Sequence, residues 1–200
     1  MVSQIKVNEI IKQSGSTITI GESGDTISLG EALPVGSGGT GSTTLAGAGL
    51  TNTPYFQATL SAEQTLSDNV LAKAAFNSEI LDSAGAYDTS TYRFTVPSGQ
   101  AGRYYISTSI IFQTSGSYGV IFPIAEIHKN GSNQIYGYGP YNEQGNDQVG
   151  VSVSILLDLS VSDYIEIYVR NNNDQGTPLI KGSTGSPDNA CIFQGYKLIG

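Results

Sequence analysis

The sequence predicts an all-β sandwich or barrel running from about Tyr55 to Gly200. Two apolar patterns and one turn carry that expectation. Val149, Val151, Val153, Ile155, Leu157 and Leu159 occupy every second position, the period of a strand with one buried face. Tyr104, Ile106, Thr108, Ile110 and Phe112 share a face in the same way, and Ile165, Ile167 and Val169 follow a short turn at Ser162-Asp163. Asn130-Gly131, lying between Ile127 and Ile135, is a two-residue hairpin signal, because both positions tolerate positive φ. Short strands at regular spacing between turn signals indicate a sandwich or a barrel. Helical periodicity appears only weakly, around Leu71 to Ile80.

The composition suits such a domain and excludes several functions. Charged residues make up 13% of the chain, against about 25% in an average soluble domain. Glycine, Ser, Thr and Asn stand in their place, so the surface is polar without being ionic. Twelve Tyr and six Phe, with no Trp, are enough aromatic side chains to fill one sandwich core. The formal charge is −8, and the nine Lys and Arg are spread thinly. Nucleic-acid binding needs a clustered basic footprint, and an anionic membrane surface needs the same, so neither is expected as a partner. No apolar run approaches the roughly 20 residues of a membrane helix. The start, Met1-Val2-Ser3-Gln4-Ile5-Lys6, lacks the basic region and apolar core of a signal peptide, so the product is expected to fold where it is made. Cys191 is the single cysteine, which excludes an intrachain disulfide framework. Its setting, Ala190-Cys191-Ile192-Phe193, reads as a small buried strand residue.

Three segments follow one another. Residues 1–33 contain a nine-residue repeat, Gly15-Ser-Thr-Ile-Thr-Ile-Gly-Glu-Ser23 followed directly by Gly24-Asp-Thr-Ile-Ser-Leu-Gly-Glu-Ala32. Each copy alternates apolar residues, Ile18 and Ile20, then Ile27 and Leu29. Two such rungs are marginal alone in water. The stripe therefore needs a cover, either the same segment of sister chains stacked about a shared axis or a socket on another protein. Residues 34–54 are rich in Gly and Ser with little apolar periodicity, as in a linker. Gly36-Ser-Gly-Gly-Thr-Gly41 lacks the Lys-Ser/Thr ending of a phosphate loop and no strand-to-helix context follows it. Residues 55–200 form the strand-rich domain.

Four motifs in that domain resemble the C1q/TNF-like family. The stretch from Asn77 to Pro97 contains Tyr87-Asp88 and Phe94-Thr-Val-Pro97, like the early strands of C1q-like domains. Gly102-Arg-Tyr-Tyr-Ile106 is similar to the family's Gly-x-Tyr-x-Phe strand, with Ile106 in place of phenylalanine. Lys129-Asn-Gly131 is similar to its central hairpin, and Phe193-Gln-Gly-Tyr-Lys-Leu198 to its closing Phe-x-Gly-x-x-Leu strand. The resemblance implies a ten-stranded jelly roll that packs around a threefold axis through one sheet, hence a homotrimer. Gly195, inside the closing strand, is expected to let a neighbouring aromatic lie against the backbone. Gly102 suits a bend feeding the Tyr104 strand. Some animal members bind calcium near the apex, but Asp147, Asp158 and Asp163 form no ligand cluster in the sequence, and no metal is expected.

The front of the chain resembles bacteriophage fibre proteins instead. The residues that carry this are Ile5-Lys-Val-Asn8 followed by Gly15 to Ile20, then Gly38-Gly-Thr-Gly-Ser-Thr-Thr-Leu-Ala-Gly47 with Leu50-Thr-Asn52. Animal C1q proteins place collagen repeats there, and this sequence has none. The combination implies a virion appendage whose residues 1–33 are ordered by threefold association, by docking on another virion protein, or by both.

Catalytic chemistry is not expected. The only histidine is His128, beside the Asn130-Gly131 turn, with no Ser or Cys nucleophile in a recognisable motif. One His and one Cys do not make a zinc site. The Asp and Glu residues are scattered, with nothing in their spacing to mark a glycosidase pair. No cofactor is implied. A contact surface is the more economical expectation. Tyr136, Tyr138 and Tyr141 stand among Gly137, Gly139 and Pro140, in a stretch that reads as too irregular for a core strand. Tyr and Gly together suit an adaptable contact surface. Two readings stay open: these tyrosines meet a host cell-surface glycan or protein, or they pack against a sister subunit. Two functions stay open as well. One is a trimeric fibre or spike whose C-terminal domain recognises the host. The other is a capsid decoration trimer, cement or head fibre, for which the modest length of the chain speaks.

Overall fold

The structure, a computed structural model, describes residues 52–115, 119–141, 147–173, 176–182 and 191–199. The nine-residue repeat with Ile18, Ile20, Ile27 and Leu29, and nearly all of the Gly/Ser-rich stretch, lie outside the described residues.

The described residues form strands and turns only. In chain order the strands are β1 (Tyr55–Thr59), β2 (Gln64–Thr65), β3 (Ala72–Lys73), β4 (Ser78–Asp82), β5 (Tyr87–Asp88), β6 (Arg93–Thr95) and β7 (Gly102–Thr114). They continue with β8 (Val120–Lys129), β9 (Ser132–Tyr138), β10 (Gln148–Leu159), β11 (Tyr164–Asn173), β12 (Pro178–Ile180) and β13 (Ile192–Lys197). These make thirteen among the described residues, where the family resemblance implies ten. Several of them, such as β2, β3 and β5, are two-residue bridges at the margins of the sheets. The weak helical signal around Leu71 to Ile80 is overridden by pairing. Ala72–Lys73 bridges to Tyr168–Val169, and Ala74 and Phe76 are buried.

The strands build two antiparallel sheets. In the first, β7 is central. It pairs with β10 over Gly102–Gln113, and its other edge carries β13 over Tyr104–Ser109 and β12 over Phe112–Thr114. Beyond β13 come β1 and then β4, and β2 pairs with β12. The second sheet runs β5-β6-β11-β8-β9, with β3 also on β11. We call these sheet A and sheet B.

The alternation read from the sequence sets which side chains meet between the sheets. Tyr104, Ile106, Thr108, Ile110 and Phe112 of β7 face inward, as do Val149, Val151 and Val153 of β10 and Ile165, Ile167 and Val169 of β11. At one end the core is aromatic. Phe56 stacks on Phe94 (4.4 Å, 11°) and Tyr87 (5.5 Å, 12°), with Phe193 edge-on to it (4.8 Å, 80°). Gly195 makes room for this stack. A Cβ there would lie 2.9 Å from the Phe56 ring and 2.7 Å from Ile106 Cδ1. The two buried tyrosines satisfy their hydroxyls locally: Tyr87 donates to the Phe76 carbonyl (2.8 Å) and Tyr104 to that of Gln100 (2.7 Å). Burial pushes the Tyr104 phenol up to about 12. Cys191 is buried just before β13, where its Sγ accepts the Ile111 amide (3.2 Å). Burial raises that thiol to about 11, so it is held as an inert, protonated packing group.

Candidate functional site

The tyrosine-rich stretch is a strand as far as Tyr138. Tyr136, Gly137 and Tyr138, expected to be too irregular for a core strand, end β9 (Ser132–Tyr138), which pairs with β8 across the Asn130-Gly131 turn. Both turn residues have positive φ, 52° and 77°. Asn130 also fastens the turn to the start of β11. Its amide donates to the Tyr164 carbonyl (2.9 Å), and its side chain accepts from the Tyr164 amide (2.9 Å) and donates to Asp163 (2.7 Å).

One residue of irregularity decides what β9 presents. His128 lies opposite Asn133, but Ile127 lies opposite Ile135, so Gln134 is an extra residue on the β9 side. Such a bulge reverses the faces of everything beyond it. Tyr136 and Tyr138 consequently point out of the sandwich, opposite Glu126 and Ile124. Gly137 and Gly139 point in, onto β10. A Cβ on Gly137 would come within 2.7 Å of Val153 Cγ2, and one on Gly139 within 2.5 Å of Val149 Cγ1 and 2.8 Å of Pro123 Cγ. The glycines are there for closure of the sandwich, and the tyrosines for the outside.

The outward tyrosines join a run of rings. Tyr136 and Tyr138 have centroids 6.3 Å apart, Tyr138 and Phe122 5.6 Å, and Phe122 and Tyr141 6.3 Å. Tyr136 is 58% exposed, and Tyr138 and Tyr141 are each 64% exposed. Phe122, Ile124, Glu126, Tyr136, Tyr138 and Arg170 line a groove of about 300 Å³ on this face of sheet B. The structure thus brings the three tyrosines together, and adds Phe122, Glu126 and Arg170 to them.

Ionic contacts crowd the same face. Glu166, 2% exposed, takes Lys73 Nζ (2.6 Å) and Arg93 Nη2 (2.8 Å) on one carboxylate oxygen. Burial alone would raise its pKa, but the hydrogen bonds and charges of Lys73 and Arg93 outweigh that and hold it below the usual carboxylate range. Arg93 also lies over the Tyr164 ring (3.7 Å). Next to Glu166, His128 stacks on Tyr168 (4.3 Å), and its Nε2 meets Glu126 Oε2 (2.7 Å), an oxygen that also accepts from Asn133. Of the acids considered for calcium, Asp158 pairs with Arg103 (2.9 Å) and Asp163 with Lys129 (2.8 Å). Hydrogen bonds from Lys129, Asn130 and the Ser160 amide hold Asp163 down to about 2.

The outward face of sheet A differs in kind. Strand register places Leu156, Tyr105, Tyr196 and Tyr55 side by side across β10, β7, β13 and β1. The next row is Ser154, Ser107, Gln194 and Gln57, and a third holds Ser152, Ser109 and Ile192. None of these positions is charged. The Arg103–Asp158 pair begins only beyond the Leu156 row. Gln194 donates to Ser107 Oγ (3.2 Å) and Ser152 to Ser109 Oγ (3.1 Å), so the serine rows satisfy part of their own polarity. Leu156 is 57% exposed, and the Tyr105 and Tyr196 rings lie 5.4 Å apart.

No protein-family model matches the chain, and no curated protein does by sequence. Solved structures do match the fold. The globular domain of zebrafish complement 1qA aligns with a TM-score of 0.52 at 14% identity, covering 73% of this chain and 98% of that one. Eiger TNF from S. frugiperda aligns with a TM-score of 0.51 at 13% identity, covering 72% of this chain and 90% of that one. The two sheets are therefore the C1q/TNF-like jelly roll that the four sequence motifs anticipated.

Proposed function

We propose that the chain is a structural virion protein of a bacteriophage, a homotrimeric fibre or spike attached through its N-terminal residues, with the jelly roll exposed towards the host surface. The observation that carries self-association is the three adjoining uncharged rows on the outward face of sheet A. Its Leu156 row offers apolar area worth about 1.5–3 kcal/mol per fully buried aliphatic side chain, and its neighbours are small and neutral. Covering it strands no charge. Packing about a threefold axis through one sheet is what the likeness to C1q and TNF domains suggests for it. Attachment is supported by the repeat from Gly15 to Ala32, whose Ile18, Ile20, Ile27 and Leu29 stripe needs a partner. The virion setting is supported by the fibre-like residues from Gly38 to Asn52.

The test compares the full chain with a variant carrying serine at Ile18, Ile20, Ile27 and Leu29. Light scattering should give a trimer for both, while only the intact chain should enter virions, with immunogold label at the tail. Label on the capsid would make the chain a decoration trimer instead. Equal incorporation of the serine variant would remove the attachment role from the repeat.

A further inference from the structure

We propose that the groove on the outward face of sheet B binds an acidic carbohydrate, with a sugar carboxylate on Arg170 and a pyranose ring stacked on Tyr138 and Tyr136. The inference rests on the reading of the jelly roll as the exposed part of its assembly and names the ligand class for it.

The ring array provides the platform. Tyr141, Phe122, Tyr138 and Tyr136 follow one another at centroid spacings of 6.3, 5.6 and 6.3 Å. An aromatic face is electron-rich, and a pyranose offers a face of slightly positive C–H bonds that lies flat against it. Tyrosine presents this area at small entropic cost, since few torsions must be ordered.

The charge selects the acid. Lys73, Arg93, Arg103 and Lys129 each hold a carboxylate. Arg170 lines the groove and pairs with none among the described residues, in a chain with 17 acids to nine Lys and Arg. A guanidinium fork matches a carboxylate by two parallel hydrogen bonds. The groove also holds an acceptor. Glu126 Oε2 is taken by His128 and Asn133, while its Oε1 accepts nothing among the described residues and suits a sugar hydroxyl. Cation, acceptor and stacking surface together describe a polyhydroxy acid. A purely apolar partner would desolvate Arg170 and Glu126 without pairing them.

In the test, the full chain is titrated with oligosaccharides of galacturonic, glucuronic and sialic acid, and with the same compounds after carboxyl reduction. Calorimetry gives affinity, and saturation-transfer difference NMR shows which sugar protons touch the rings. At least one acidic oligosaccharide should bind. Carboxyl reduction, Arg170→Ala and Tyr138→Ala should each weaken that binding by about tenfold or more, the scale of a charge-assisted hydrogen bond or a lost anchor. Tyr138→Phe should retain it, and all variants should keep the melting temperature and oligomeric mass. Absence of binding by every acidic oligosaccharide, equal affinity for acid and reduced forms, or a fall in oligomeric mass with Tyr138→Ala overturns the proposal. The last result would make the rings a subunit contact. A chain that enters virions yet binds no acidic sugar sinks this inference alone. One that binds the sugar yet stays off the virion sinks only the structural role.

Discussion

The outward faces of sheet A and sheet B stand on one shared core, yet they carry opposite chemistry. Sheet A shows three adjoining rows of Ser, Gln, Tyr, Leu and Ile without a charge. Sheet B gathers Lys73, Arg93, Glu126, His128, Glu166 and Arg170 on its outer side, with a run of exposed rings at its β9 edge. Desolvating an unpaired charge is expensive, whereas a serine or glutamine is buried cheaply once hydrogen-bonded. One face is thus suited to being covered by its own kind, and the other to water and to a polar ligand. Where a protein with few charges spends them reveals which side it keeps wet.

The largest expected effect removes both faces together. Val153 packs inward from β10, against the position where Gly137 leaves space. Val153→Asp should bury an unpaired charge at a cost of several kcal/mol, on the order of a domain's whole stability. Circular dichroism should show an unfolded or aggregated chain, and a soluble variant melting within a few degrees of the parent contradicts the assigned face.

A smaller effect isolates sheet B. Glu166→Gln leaves Lys73 and Arg93 without their anion. Breaking a buried pair costs about 3–5 kcal/mol, and the lower end applies here because both cations reach solvent. Urea denaturation should register the loss while the oligomeric mass stays unchanged. Leu156→Asp should do the reverse. It should reduce the mass measured by light scattering to that of one chain, and leave the monomer's own stability within about 0.5 kcal/mol, as for an ordinary surface substitution.

The smallest effect is acid sensitivity, and it too belongs to sheet B. Side-chain and backbone hydrogen bonds from Ser90 and Thr91 hold Asp88 at about 2, and Asp163 lies at about 2 as well. An unfolded aspartate titrates near about 3.9. A carboxylate depressed on folding adds stability that is complete above its unfolded pKa and lost as pH falls through its folded one. The melting temperature should therefore be flat above about pH 5 and decline between about pH 4 and pH 2. Asp163→Asn should make that decline shallower.

Most of the fold was legible because its signals are local. Two-residue alternation marked the inward sides of β7, β10 and β11, and Asn130-Gly131 marked the hairpin. Gly195 beside the Phe56 ring was readable from its place in the closing motif. The groove was legible only in part. Tyr136, Tyr138 and Tyr141 stood out by composition, but Phe122, Glu126 and Arg170 reach them through pairing of β8 with β9 and with β11, a relation between distant segments. The register of β9 was hidden as well. Counting back from the turn without the extra Gln134 would place Tyr136 opposite Ala125 and turn it into the core. The Tyr-Gly-Tyr-Gly alternation of residues 136–139 was the available clue that a strand, not a loop, runs there.

That single extra residue has a consequence for how such a tip changes over generations. Because the bulge at Gln134 sets which parity of β9 meets solvent, pairing the same residues without it would drive tyrosines into the sandwich and expose glycines, erasing the platform in one step. Substitutions at the outward positions, by contrast, leave β10 and the core untouched. The surface chemistry is free to drift residue by residue while its frame is held by the register of the strand. A lineage under pressure to meet new surfaces can rewrite the outward letters of this strand without refolding the protein that displays them.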